Sequence, residues 1–451
     1  MKRVVAVVAS VLLVTVLSGA TTMPAAAVSV PASVSPQAPA NPVPEDPTDS
    51  VRAGEYWLDQ YGVREAWKTT RGAGQKIAVI DTGIGRGPAE FNGAVAGGTD
   101  VSGVGAADGR TPVGAVDANH GSWVASLAAA RGTGNGRGMI GVAPEAELLS
   151  ISVGFGAAST KPFTDQIADA IRWAVDNGAT VINMSLTTNT LDWDTSWDTA
   201  FEYAFDHDVV IVVAAGNRGS GTDRVGAPAT IPGVLAVGGV DPTGAASNDA
   251  STQGITIGLS APSERLIGVS ADGTLVQWNG TSGAAPIVAG IAALVRAAHP
   301  GMDADNVLNR LIQTAKPAAG ASARPDKLYG YGLVDAAAAV SARVETVSEN
   351  PLGSLEEWIR LYRRADAQPS PEPTSTPVVI PPLPPIEAAP AASSPLLPSR
   401  DSVLYGSLPL GAATLAAIMI ALGVTAAARR IRQARVSREP SRTTNEESLT
   451  S

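Results

Sequence analysis

Short unbroken apolar runs alternate with longer stretches of helical pattern through the middle of this chain. Lys76–Ile80 (KIAVI), Glu147–Val153 (ELLSISV), Thr180–Met184 (TVINM), Val209–Ala214 (VVIVVA) and Gly233–Val237 (GVLAV) read as strands. Gly121–Ala130, Phe163–Asn177, Thr195–Asp206 and Ala284–Ala298 read as helices. Strands that lack polar alternation are buried on both faces, and strands separated by helices build crossover units. The pattern therefore predicts an α/β fold, a mostly parallel central sheet with helices on both faces. Ligands of such sheets gather beyond the carboxyl ends of the strands. Polar residues just after each run are the candidates for chemistry.

Different patterns hold at the two ends. Lys2 and Arg3 precede an apolar run, Val4–Leu17, and Ala25–Ala27 supplies small residues for cleavage, so 1–27 has the form of a secretory signal peptide. A proline-rich N-terminal extension, 28–55, leads to a folded domain expected over 56–345. Next come a juxtadomain segment and linker, 346–402, in which Leu355, Trp358 and Leu361 mark a short amphipathic helix. Within it Gln368–Ser399 is rich in proline, serine and alanine, a composition that extends instead of building a core, and it reads as a stalk. The uncharged run 403–428 is long enough to cross a bilayer as one transmembrane helix. Arg429, Arg430, Arg432 and Arg435 follow, which assigns the tail 429–451 to the cytoplasm and the folded domain to the outer side of the cell membrane.

Composition narrows the chemistry. An excess of 42 acidic over 32 basic side chains argues against a nucleic-acid partner. With no cysteine, the chain has no disulfide framework, thiolate metal site or cysteine nucleophile.

Three residues after the predicted strands and ahead of the helices stand out. Asp81 ends the run IAVI, His120 sits in NHGSWV, and Ser282 sits in NGTSGAAPIVAG. A serine hydroxyl needs a neighbouring base, imidazole suits that work, and a carboxylate can hold the imidazole in the required tautomer. Each residue also has a plainer use: Asp81 in an Asx-turn, His120 as a helix-start residue, Ser282 as an N-cap. Of the other histidines, His207 reads as solvated at a helix end and His299 as a cap. Asn217, in VVIVVAAGN, is placed to donate to an oxyanion or to form a turn. Gly132–Gly138 is glycine-rich but lacks the Lys-Ser/Thr end of a phosphate loop. Asp192, Asp194 and Asp198 could bind a hard cation but read better as solvated acids at a helix start; no metal ligand is assigned and no cofactor is expected.

Taken in order, IAVIDTGI, NHGSWVAS, VINMSL, VVAAGN and NGTSGAAPIVAG resemble the subtilisin-like serine proteases over about 56–344. The resemblance implies Asp81, His120 and Ser282 as a catalytic triad, with Asn217 and the Ser282 amide as oxyanion donors. It also implies a cleft in which Ser185 and Leu186 form one edge for an extended polypeptide, Gly154 the other, and Gly216 the floor of the side-chain pocket. The chain departs from the family at Ser122, Thr187 and Gly283; a branched Thr187 where many relatives carry glycine leaves the side-chain preference open.

The layout of short extension, catalytic domain, stalk and single anchor resembles the mycosins, membrane-anchored proteases of type VII secretion systems in actinobacteria. Phrases such as YGVREAW, TRGAG and GVAPEAELLSI agree with that resemblance, whereas the absence of cysteine departs from it. It implies limited processing of secreted proteins beside a type VII secretion membrane complex. The alternatives are a general tethered degradative protease and a structural component whose proteolysis is incidental.

Overall fold

A computed structural model describes residues 45–114, 118–155, 159–363 and 402–436. The expected signal peptide, the first part of the extension, the proline-rich stalk and the end of the tail lie outside these residues. By their contacts the chain divides into two units, Met1–Gln368 and Pro369–Ser451.

Among the described residues, the first unit holds nine strands: β1 Lys76–Asp81, β2 Val95–Asp100, β3 Glu147–Ser152, β4 Val181–Met184, β5 Val210–Ala214, β6 Leu235–Val240, β7 Ile257–Pro262, β8 Leu266–Val269 and β9 Leu275–Trp278. Its α-helices are α1 Ser50–Gly54, α2 Trp57–Gln60, α3 Val63–Ala66, α4 His120–Ala129, α5 Phe163–Asp176, α6 Thr195–Asp206, α7 Thr281–Ala298, α8 Ala304–Thr314, α9 Ala336–Ser341 and α10 Leu355–Tyr362. Strands β1 to β7 form one sheet in the order β2-β3-β1-β4-β5-β6-β7, and every pairing is parallel. Strands β8 and β9 form a separate antiparallel hairpin.

Alternate residues of the central strands serve opposite faces, as a strand's period of two requires. Ile77, Val79, Val181, Val210 and Val212 pack with α4 and α7, while Ala78, Ile80, Ile182, Ile211 and Val213 pack with α5 and α6. With helices on both sides no central strand faces water, which explains the unbroken apolar runs. β1 sits between β3 and β4, so the chain switches from one side of β1 to the other after β3. Crevices form at such a switch, outside the strand ends. Asp81 closes β1 there, Ser185 follows β4, and Asn217 follows β5.

The amphipathic segment at 355–362 forms α10 and packs on the domain: the Trp358 ring lies 4.4 Å from that of Trp193, and Arg363 pairs with the buried Asp198. Asp198 is therefore a structural partner, and Asp194 caps α6 by accepting from the Ser196 amide at 2.9 Å. Asp198, expected as a solvated acid, is instead buried and paired, whereas Asp194 is exposed at the helix start as expected.

In the second unit, α11 spans Leu408–Val436. Over Val403–Arg430 the chain is long and apolar enough to cross a membrane, and none of that window is buried. Helix α7 passes the same test of length and composition, but it is a core helix, 83% buried.

Candidate active site

Strand β1 delivers Asp81, and local bonds bring α4 to it. The fully buried Asp81 carboxylate accepts the Thr82 amide at 2.7 Å. The Thr82 hydroxyl then accepts the Gly121 amide at 2.8 Å and donates to the Ala118 carbonyl at 2.8 Å. Glycine at 121 is a steric requirement: a Cβ there would meet the Gly83 carbonyl oxygen at 2.5 Å. Only a bare backbone lets the first turn of α4 lie this close to the end of β1, and that turn begins with His120.

His120 Nδ1 lies 2.8 and 2.9 Å from the two Asp81 oxygens. An ionised carboxylate only accepts, so Nδ1 carries the proton and Nε2, at the far edge of the ring, is left as the basic nitrogen. Trp278 and Trp123 meet the His120 ring edge-on, at centroid distances of 5.7 and 6.3 Å, and the Trp123 indole donates to the Ser270 hydroxyl at 2.9 Å. The hairpin β8–β9 thus supplies one wall that keeps the ring in place.

Helix α7 carries Ser282, but not as its cap. The helix starts at Thr281 behind Gly280, and no side chain of its own caps it. Asn217 does so from outside: its Oδ1 accepts the Thr281 amide at 2.8 Å and the Thr281 hydroxyl at 2.9 Å. A backbone amide can only donate, so these bonds fix which end of the Asn217 amide faces the helix and leave Nδ2 as a donor on the other side. The Thr281 hydroxyl accepts the Gly216 amide at 3.0 Å, which joins α7 to the end of β5. The reading of Ser282 as an N-cap is corrected: Ser282 stands one residue inside the helix, where its amide belongs to a first turn with no intrahelical carbonyl to bond.

Pro286, inside α7, explains another contact. Proline has no N–H, so the Ser282 carbonyl four residues earlier loses its helical donor. The Ser185 hydroxyl takes that place, donating to the Ser282 carbonyl at 2.8 Å, while the Ser282 hydroxyl donates to the Ser185 carbonyl at 3.2 Å. Ser185 also accepts from Asn183 Nδ2 at 3.0 Å. A reciprocal pair of bonds therefore ties the nucleophile candidate to the end of β4.

His120, Ser185, Leu186, Gly216, Asn217 and Ser282 all line one cleft of about 290 Å³, and Asp81 supports it from behind His120. Gly154 stands next to the cleft wall at Phe155; its amide donates to the buried Gln166 Oε1 at 2.8 Å, and its carbonyl accepts from Gln166 Nε2 at 3.3 Å. His207 is exposed, with Nδ1 2.7 Å from the Tyr203 carbonyl, and His299 Nε2 lies 2.7 Å from the Val340 carbonyl. Thr82, Thr281, Trp123 and Trp278 were not singled out from sequence. For Thr82 and Thr281 the available signal was adjacency to Asp81 and Ser282; for the two indoles there was none.

Comparisons with known proteins identify the family. The Subtilase family model matches residues 72–332. Mycosin-4 of Mycobacterium tuberculosis is 35% identical over 322 residues, 62% of this chain and 67% of that protein. Subtilisin DY of Bacillus licheniformis is 35% identical over 276 residues, 60% of this chain and 92% of that protein. Among solved structures, MycP1 with its N-terminal propeptide removed superposes with a TM-score of 0.55 at 30% identity, covering 65% of this chain and 98% of that one. The MycP3 protease from the type VII (ESX-3) secretion system superposes at 0.54 and 34% identity, covering 64% and 88%. The chain belongs to the subtilase family, and it is a serine endopeptidase similar to the mycosins and subtilisins.

Proposed function

We propose that this chain is a membrane-anchored, extracytoplasmic endopeptidase that carries out limited processing of proteins handled by a type VII secretion complex. The observation that supports its catalytic part most directly is the convergence of β1, α4, α7 and the β5 exit, which puts Asp81, His120, Ser282 and Asn217 around one cleft. Ser282 Oγ attacks the carbonyl carbon of the scissile peptide while His120 Nε2 takes the hydroxyl proton. Asp81 holds Nδ1–H and stabilises the imidazolium. The oxyanion then receives the Asn217 Nδ2 donor and the Ser282 amide, and the positive end of the α7 dipole lies beneath it. As the intermediate collapses, the amine leaves with the proton from His120; water, deprotonated by the same nitrogen, then releases the acyl group from Ser282. An extended substrate would run along the Ser185–Leu186 edge as an added strand.

The anchor rests on α11, whose large apolar side chains such as Leu410 and Met419 are about 70% exposed, at 71% and 69%. A bilayer would cover them, and Arg429 and Arg430 would lie at its cytoplasmic face. The secretion role rests on the likeness to the mycosins.

The test is a fluorophosphonate probe on the full-length protein, followed by peptide mapping. Labelling of Ser282 alone, lost in Ser282→Ala, is expected; labelling elsewhere would overturn the assignment. Truncation before residue 402 should release the domain from membranes. Comparing secretion in a strain lacking the protein with one carrying Ser282→Ala separates processing from a scaffolding role.

A further inference from the structure

We propose that the side-chain pocket of this protease is closed by two threonine methyls, so that it cleaves after small uncharged residues such as alanine or serine. This rests on the reading of Ser282 as the nucleophile. The slot beside Ser282 lies between the segment after β4, Leu186–Thr187, and the segment after β5, Ala214–Gly216, both in the cleft wall. Thr187 and Thr222 both line it.

Neither threonine presents its hydroxyl to the slot. Thr187 Oγ1 donates to the Thr188 carbonyl at 3.0 Å, and Thr222 Oγ1 donates to Asn189 Oδ1 at 3.4 Å. On a β-branched side chain, fixing the hydroxyl also fixes the methyl, because both sit on one staggered carbon. The two methyls converge on Gly216. A carbon attached there would lie 2.6 Å from Thr222 Cγ2 and 3.3 Å from Thr187 Cγ2. Both methyls therefore stand close over the Gly216 backbone and narrow the cleft beside it.

Chemistry limits the pocket in the same direction. None of the described residues lining the cleft is acidic or basic, apart from His120 itself. A lysine, arginine or glutamate side chain entering would lose water and meet no counter-charge. An aromatic ring or a leucine would have to push both methyls aside, against hydroxyls that are held by the backbone and by Asn189. One methyl on the substrate side chain meets neither obstacle.

The experiment uses the detergent-solubilised full chain and a peptide series that differs only in the residue before the scissile bond: alanine, serine, leucine, phenylalanine and lysine. Alanine and serine are expected to exceed the other three in kcat/KM by about tenfold or more, the discrimination that steric exclusion of a few carbons gives. Thr187→Ser with Thr222→Ser keeps both hydroxyls and removes both methyls, which limits damage to the fold. It should raise the leucine-to-alanine ratio of kcat/KM by about tenfold or more. A native preference for phenylalanine or leucine, or an unchanged ratio in the double variant, overturns the proposal. If Ser282 takes the fluorophosphonate label but the preference runs the other way, the pocket assignment alone fails. If no peptide is cleaved and Ser282 is not labelled, the underlying catalytic reading falls and this proposal with it.

Discussion

The exchange between Ser185 and Pro286 makes a quantitative test of how Ser282 is held. Ser185 is buried, and its hydroxyl serves both the Ser282 carbonyl and Asn183 Nδ2. Ser185→Ala deprives one acceptor and one donor in a region with little access to water. Each orphaned group costs about 1–3 kcal/mol, so a total loss of about 2–6 kcal/mol is expected. Pro286→Ala restores a backbone N–H four residues after Ser282, which can donate to the same carbonyl. In that background the acceptor is no longer orphaned by Ser185→Ala. The cost of the serine change should then fall by about 1–3 kcal/mol, the size of one rescued group. The assay is urea unfolding followed by tryptophan fluorescence, with the buried Trp57 and Trp197 as reporters. All four proteins should carry Ser282→Ala to prevent self-digestion. Equal costs in the two backgrounds, within about 0.3–0.5 kcal/mol, would show that the sites are independent and refute the account.

Other expectations concern the reaction and the stability of the domain. Asn217→Ala should lower kcat by about 100- to 1000-fold with a smaller change in KM; that range belongs to subtilisin's own oxyanion asparagine and is carried over from that relative, not worked from this geometry. Gly121→Ala should lower kcat/KM by about 100-fold or more in a still-folded protein, because a Cβ 2.5 Å from the Gly83 carbonyl must shift the turn that carries His120. Near-wild-type activity would show that the turn can yield. Burial pushes the Glu55 carboxyl well above the usual carboxylate range, though Oε1 accepts the Ile140 amide at 2.8 Å. The folded state therefore keeps a proton that the unfolded chain releases. That contribution is complete below the unfolded value and is lost as pH climbs through the folded one. Glu55→Gln should flatten Tm against pH across that window, and an unaltered profile would count against a protonated Glu55.

Much of the fold was legible because burial on both faces leaves a plain mark. The runs read as β1, β3, β4 and β5 fall within a residue or two of the observed strands, and the helix at Thr195–Asp206 matches at both ends. Strand β2 escaped notice because its sequence, VAGGTD, is glycine-rich and only partly buried at the sheet edge. The short strands β7, β8 and β9 were also missed. In β9, exposed positions alternate with partly buried ones, so there is no unbroken apolar run to find. Asp81, His120, Asn217 and Ser282 were recognisable because each follows a strand or opens a helix. The start of α7 was misplaced, since its cap is the side chain of Asn217, far away in sequence. The pocket floor was equally hidden: Thr187 could be suspected, but only folding brings Thr222 against Gly216.

The order in which the chain supplies its site has a consequence for the life of the enzyme. Asp81 lies on the first strand of the sheet, while Ser282 enters with a central helix that packs against β4, β5, β6 and β7. A fragment ending before that helix lacks Ser282, and the strands the helix packs on all precede it in the chain. The proposed nucleophile thus arrives only after all seven strands of the sheet have been supplied. On the proposed mechanism a chain stalled before α7 is inert toward its neighbours, so the topology acts as its own safeguard.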